Sequence, residues 1–184
     1  MPGRTPDRGQ GWVALLRGIN LGARNKVPMA GLRALLEGLD CTSVRTYIQS
    51  GNVLFERHAA DRAALAAELQ AAVAAEFGVS STIVLRTFRE LRRVADGHPF
   101  GADTSRTHVS FLAGRPGAEG ARRLAAVEAT PDRFVLAGSD LYLHFPNGVQ
   151  GARLSGPVLE RSLGVAGTIR NWRTVTRLAE LTAP

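Results

Sequence analysis

At 184 residues, with 45% hydrophobic and 21% charged side chains, the chain can bury a core as one compact domain or two small ones. No apolar run approaches the roughly 18–20 residues needed to span a bilayer, so no membrane partner is expected. The single cysteine, Cys41, excludes an internal disulfide and a cysteine-cluster zinc site. The net charge of +7 points to an anionic partner, although part of it is compositional. Lys26 is the only lysine, and the abundance of Ala, Gly and Arg is that of a chain encoded by a GC-rich genome.

The opening stretch 1–11 has no apolar signal core and reads as a flexible tail, with a cytoplasmic location as the expectation. Trp12–Arg17 is an apolar run of strand length, broken by Gly18 and Gly22. Pro28 suits the first position of a helix, and Met29, Leu32, Leu35, Leu36 and Leu39 recur at helical spacing, which predicts a helix over 28–39. Ser43–Gln49 alternates, with Val44, Thr46 and Ile48 on one face and Arg45, Tyr47 and Gln49 on the other. Ser50-Gly51 then predicts a two-residue turn that sets Gln49 opposite Asn52 and Ile48 opposite Val53. An alanine-rich helix over 60–77 ends at Gly78, and a strand follows at 82–86. The order β-α-β-β-α-β is the ferredoxin-like, split βαβ arrangement.

A short helix at 88–95 leads into an irregular connector at 97–106. The expected organisation is therefore a ferredoxin-like α+β domain over 12–96 and a second α+β domain over 107–184. The second half repeats the element order more loosely: strand 107–113, helix 117–129, strand 133–137, a Gly138-Ser139 turn, strand 140–145, helix 155–163 and a short strand at 168–170. A terminal helix at 172–181 takes Asn171 as its N-cap. The likeness of the halves lies in element order, with no repeat visible in the residues.

Charge is uneven along the chain. Residues 17–55 hold five cations (Arg17, Arg24, Lys26, Arg33, Arg45) against Glu37 and Asp40. Residues 144–184 hold five (Arg153, Arg161, Arg170, Arg173, Arg177) against Glu160 and Glu180, while the middle is neutral. Residue types that the composition disfavours also gather early: Ile19, Asn20, Asn25, Lys26, Met29, Tyr47, Ile48 and Asn52 all lie between 19 and 52.

The loop 17–26 joins a strand to a helix. Its glycines free backbone N–H groups to face an anion, and Arg17, Arg24 and Lys26 supply charge. Its spacing is neither a Walker A loop nor GxGxxG. The hairpin tip brings Gln49, Ser50 and Asn52 beside Tyr47, a polar cluster that also suits a plain hairpin turn. Trp172 falls on an apolar helix stripe and reads as core, leaving Arg170 and Asn171 as the better functional residues of the C-terminal segment. The four histidines are scattered with no metal spacing, carboxylates are sparse where cations gather, and no GxSxG elbow occurs, so no metal site is expected. Cys41 follows a helix C-terminus, the wrong end to lower a thiol pKa, and reads as inert.

The motifs LLRGIN at 15–20, NKVPMAGLRALLE at 25–37, VRTYIQSGNVLF at 44–55 and TIRNWRTVTRLAEL at 168–181 resemble the bacterial family called domain of unknown function 1697. The likeness runs in order over about residues 12–182. It implies a two-part α+β fold with a ferredoxin-like first part, and it brings no established activity or catalytic residue. Two places depart from the family's usual pattern: Gly22-Ala23 stands where glycines are usual, and Ala152-Arg153 where a Ser-Lys pair is usual.

The leading expectation is a binding protein for an anionic small molecule, phosphate- or carboxylate-bearing. Its site would draw on Arg17, Asn20, Lys26, Gln49, Asn52, Arg170 and Asn171, where the 17–26 loop, the hairpin tip and the 168–174 segment converge. One alternative is an RNA- or DNA-binding module using the open sheet face, though the strands lack the aromatics of an RNP motif. Another is a metal-independent enzyme such as a transferase of an anionic donor. No cofactor is indicated.

Overall fold

The computed structural model describes residues 9–49, 51–58 and 61–183. Ser50 of the expected turn, Ala60 of the expected helix and residues 1–8 of the expected tail lie outside them. The chain divides into two compact units, 1–88 and 89–184.

Unit 1 runs β1 (Gln10–Leu16), α1 (Met29–Glu37), β2 (Thr42–Tyr47), β3 (Asn52–Arg57), α2 (Arg62–Phe77) and β4 (Ile83–Thr87). Its sheet has the order β2-β3-β1-β4, antiparallel throughout, which is the ferredoxin-like topology. Strand alternation sorts the side chains. Trp12, Ala14 and Leu16 of β1, Val53 and Phe55 of β3, and Ile83 and Leu85 of β4 form one core with the helices. Leu32 and Leu36 of α1 and Leu65, Leu69 and Val73 of α2 meet them there. Val13, Leu15, Leu54 and Val84 on the other face are buried as well. The alanine-rich α2 has little amphipathic contrast, so its ends matter. Asp61 Oδ1 accepts from the N–H of Ala63 and of Ala64, and Gly78 closes the helix in the left-handed conformation at φ 66°. Pro28 precedes α1 as its N-cap, one position earlier than expected.

Unit 2 contains α3 (Phe88–Asp96, from Arg89 on), β5 (Thr107–Leu112), α4 (Ala118–Ala125), β6 (Arg133–Ala137), β7 (Asp140–His144), α5 (Gly156–Leu163), β8 (Gly167–Asn171) and α6 (Trp172–Leu181). Its strand order, β6-β7-β5-β8, repeats that of unit 1. Leu112, Leu124, Leu141, Leu143, Leu159 and Leu163 make its core. Helix α3 is held within this unit: Tyr142 Oη donates to the Val94 carbonyl at 3.2 Å, and Arg92 Nη1 donates to the Thr182 carbonyl at 2.7 Å.

The repeat goes deeper than element order, contrary to expectation. Val13 lies between Leu54 and Arg86, just as Val109 lies between Tyr142 and Arg170. Beyond the strands, Leu16 N–H donates to Gly51 O and Leu112 N–H to Ser139 O; Arg17 N–H donates to Thr82 O and Ala113 N–H to Ala166 O. With the registers matched, Leu85-Arg86-Thr87-Phe88-Arg89 aligns with Ile169-Arg170-Asn171-Trp172-Arg173. Each segment is the end of an outer strand running straight into a helix. Arg86 and Arg170 are both buried, and each donates from Nη1 to the carbonyl of the residue before it. The repeat is hidden in the sequence because the connections between strands differ in length.

Candidate functional site

The two units diverge at their connections. Between the first strand and first helix, unit 1 has residues 17–28 and unit 2 only 113–117. Between the second and third strands, unit 1 has 48–51 and unit 2 only 138–139. Both of these connections lie in the expected site, and unit 2 makes them without the extra residues; elsewhere unit 1 is the longer at 78–82 against 164–166, and unit 2 is the longer at 126–132 and 145–155.

The long loop starts tied to the sheet, with the Arg17 N–H on Thr82 O at 2.9 Å and the Arg17 carbonyl accepting from Ser81 Oγ at 2.8 Å. Ile19 and Val27 turn inward and join the core, pinning both ends of the excursion. Asn20 then organises what lies between. It sits in the left-handed region at φ 54°, where asparagine is tolerated better than most residues. Its Oδ1 accepts from Val27 N–H at 2.9 Å, and its Nδ2 donates to Val27 O at 3.0 Å and to Gln49 O at 2.8 Å. Its own N–H donates to Asn25 O at 2.9 Å. Asn25, at φ 51°, donates from Nδ2 to Gly18 O at 2.9 Å. Two asparagine amides thus fix the loop and fasten it to the hairpin.

With the amides turned inward, Leu21, Arg24 and Lys26 are exposed. Among the described residues, no protein group accepts the backbone N–H of Leu21, Gly22, Ala23 or Lys26. The loop is therefore an ordered backbone offering donors and cations outward, with no carboxylate between Arg17 and Leu36.

The hairpin differs from expectation. Tyr47 pairs with Asn52 and Thr46 with Val53, so the connection is 48–51 rather than a two-residue turn. Two features impose this register. Asn52 is fully buried and donates from Nδ2 to Tyr47 O at 3.0 Å, closing the ladder there. Gly51, at φ 76°, lies so close to β1 that a Cβ on it would stand 2.8 Å from Leu16 Cβ. The predicted faces of β2 hold over 44–47, with Val44 buried in the core and Thr46 opposite core Val53, and break down at both ends. Ser43 has φ 53°, the pairing shifts between Thr42 and Arg45, and Ile48 leaves the strand altogether.

The structure joins Asn20 to Gln49 directly and places Arg17, Lys26 and Asn52 on the same loop and hairpin. Arg170 and Asn171 belong to unit 2. Arg170 is buried in β8, where its Nη1 donates to Thr168 Oγ1 at 2.7 Å; burial pushes its guanidinium down to about 10, still protonated at neutral pH. Asn171 caps α6, its Oδ1 accepting from Thr174 N–H at 2.8 Å. Both positions are matched in unit 1, by Arg86 and Thr87.

A model of the family described as "Protein of unknown function (DUF1697)" matches residues 10–142. The chain belongs to this family. Its fold is shared with the solved structure of a conserved bacterial protein, SP0830 from Streptococcus pneumoniae. The two are 21% identical, with a TM-score of 0.74 over 95% of this chain and 99% of that one. No curated protein matches the sequence. The family match runs through the basic loop and both hairpins, and its description carries no activity to set against them.

Sequence reading passed over a second polar region. Two of the four histidines, His98 and His144, come together in unit 2. His98 Nε2 lies 2.9 Å from Thr107 Oγ1, the His98 ring stands 4.6 Å from that of Trp172, and Phe100 lies between His98 and His144. The pairing of Thr107 with His144 across β5 and β7 is what assembles them. Only strand register reveals this, and no spacing rule would have found it. Nearby, a cavity of about 620 Å³ is lined by Thr104, Ser105, His108, Asn171, Trp172, Arg173 and Thr176. Burial holds His108 and His144 below the usual imidazole range, so both are neutral at pH 7. Among the described residues, no three His, Cys, Asp or Glu side chains are grouped as a metal ion would require. Cys41 is buried and its thiol is raised by desolvation, which makes it a poor nucleophile.

Proposed function

We propose that the protein binds a small anionic ligand, phosphate- or carboxylate-bearing, on the 17–26 loop beside the hairpin tip of unit 1. Arg24 and Lys26 supply the charge with Arg17 behind them, and the N–H groups at the loop tip supply directed donors. Asn20 and Asn52 act indirectly, holding the loop and the hairpin in place, and Gln49 contributes through its carbonyl. Arg170 and Asn171 serve the fold of unit 2, and the reading does not need them.

One observation carries the proposal. The sister unit makes the same strand-to-helix connection with a short segment, whereas unit 1 fixes a longer one in place with asparagine amides and leaves its cations outside. Building and ordering the extra residues costs conformational entropy that folding alone does not require. Preorganisation of this kind lowers the cost of binding.

The test is a thermal-shift and calorimetric screen of the full chain with inorganic phosphate, nucleoside phosphates and dicarboxylates. A ligand at a hundred times its Kd should add about 2.7 kcal/mol of stability. The Arg24→Ala/Lys26→Ala double variant should fold normally and lose most of the shift. Equal shifts in wild type and double variant would remove the site.

A further inference from the structure

Two aliphatic side chains stand in solvent at this same site. Leu21 is 68% exposed on the basic loop, and Ile48 is 49% exposed at the hairpin tip. The Asn20 to Gln49 hydrogen bond links the two segments that carry them. Neither side chain belongs to the unit 1 core. Ile48 is also held at φ 50°, a left-handed conformation that β-branched residues rarely adopt. A glycine or asparagine would sit there at less cost, and burial does not repay the isoleucine. Both residues lie on connections that unit 2 makes with fewer residues. Exposure, backbone strain and position on an added segment together mark these aliphatics as kept for contact with something outside the chain.

We infer that the ligand is amphiphilic: an anionic head that meets Arg24, Lys26 and the loop N–H groups, joined to an aliphatic body that covers Leu21 and Ile48. This rests on the anion-binding reading of the same loop and narrows its ligand class. Aliphatic side chains rather than aromatic ones argue for an alkyl body over a nucleobase, which would call for a stacking platform. The shared chemistry is that of an alkyl phosphate or alkyl carboxylate, either free in solution or as part of a lipid surface.

The experiment is calorimetry on the full chain with inorganic phosphate and with monoalkyl phosphates of two, four, six and eight carbons. Affinity is expected to rise with chain length, by up to about fourfold for each methylene that is fully covered. Leu21→Ser/Ile48→Ser is expected to flatten that rise while leaving the Kd for inorganic phosphate unchanged. Ile48→Gly, which relieves the backbone, checks that any loss is not a folding effect. Affinity independent of chain length, or a rise that persists in the double serine variant, overturns the inference and leaves anion binding intact. If neither these phosphates nor the corresponding alkyl carboxylates and dicarboxylates bind, the anion-binding reading itself falls. A parallel sedimentation arm uses vesicles with and without phosphatidylserine. Retention on the anionic vesicles that is lost in the serine variant assigns the ligand to a lipid surface. Binding of free alkyl phosphates with no vesicle retention assigns it to solution.

Discussion

Asn20 shows how one side chain can hold a loop in place. Three of its hydrogen bonds run from the side-chain amide, to both backbone groups of Val27 and to Gln49 O. Lys26, six residues on, is exposed and spends nothing on the fold. Asn20→Ala should therefore lower stability by about 2 kcal/mol, since two part-buried hydrogen bonds of roughly 1 kcal/mol each, and an exposed one, are lost. Lys26→Ala should stay within about 0.5 kcal/mol of wild type. Urea denaturation of both variants separates the two kinds of residue. Asn171 belongs with Asn20: Asn171→Ala should cost about 1 kcal/mol through loss of the α6 cap, and Asn171→Ser should restore most of it.

At the scale of elements, the hairpin is set by close approach rather than by turn propensity. Ser50-Gly51 predicts a short turn, yet Gly51 lies against Leu16 and Ile19 and hydrogen-bonds to β1, while Asn52 locks the last pair. Gly51→Ala adds a left-handed backbone penalty to a Cβ that has no space, and should destabilise by about 3 kcal/mol or more. Gly22, at φ 57° with open space around it, should tolerate alanine for about 1–2 kcal/mol. Thermal melts of the two alanine variants measure the difference. A larger loss at Gly22 would mean that the hairpin does not seat on β1 as described. The periodic elements were legible beforehand, α6 and β6 to the residue and the others within about two residues, because apolar spacing follows from helix and strand geometry; α4 is the exception, ending at Ala125 rather than 129. Local spacing does not report that Ser43 and Ile48 adopt positive φ, and so the faces of β2 held over 44–47 while its two ends were misplaced.

For the molecule as a whole, two copies of one topology carry different additions: the basic loop and long hairpin in unit 1, the histidine pair and polar cavity in unit 2. The histidines make stability depend on pH. His108 is held below the usual imidazole range by desolvation; so is His144, where desolvation is joined by the charge of Arg133. A base whose folded pKa is depressed takes its proton first in the unfolded chain. Acidification then favours unfolding, and stability falls as pH drops below about 6.5 toward the lower folded values. Chemical denaturation between pH 7.5 and 5 should show that fall, and His108→Gln/His144→Gln should flatten it. A profile unchanged in the double variant would assign the dependence to other groups.

The sequence by itself determined the two-part α+β architecture, the element boundaries within a few residues, the family, and the concentration of cations in the 17–26 loop. Each of these rests on local spacing, composition or motif. Tertiary structure alone decided the hairpin register, the meeting of His98 and His144, the burial of Arg170 and the kinship of its segment with that around Arg86. All of these depend on which strands lie side by side, and strand pairing is fixed by contacts between residues far apart in the chain. The same long-range pairing showed that Asn20 holds the loop in place.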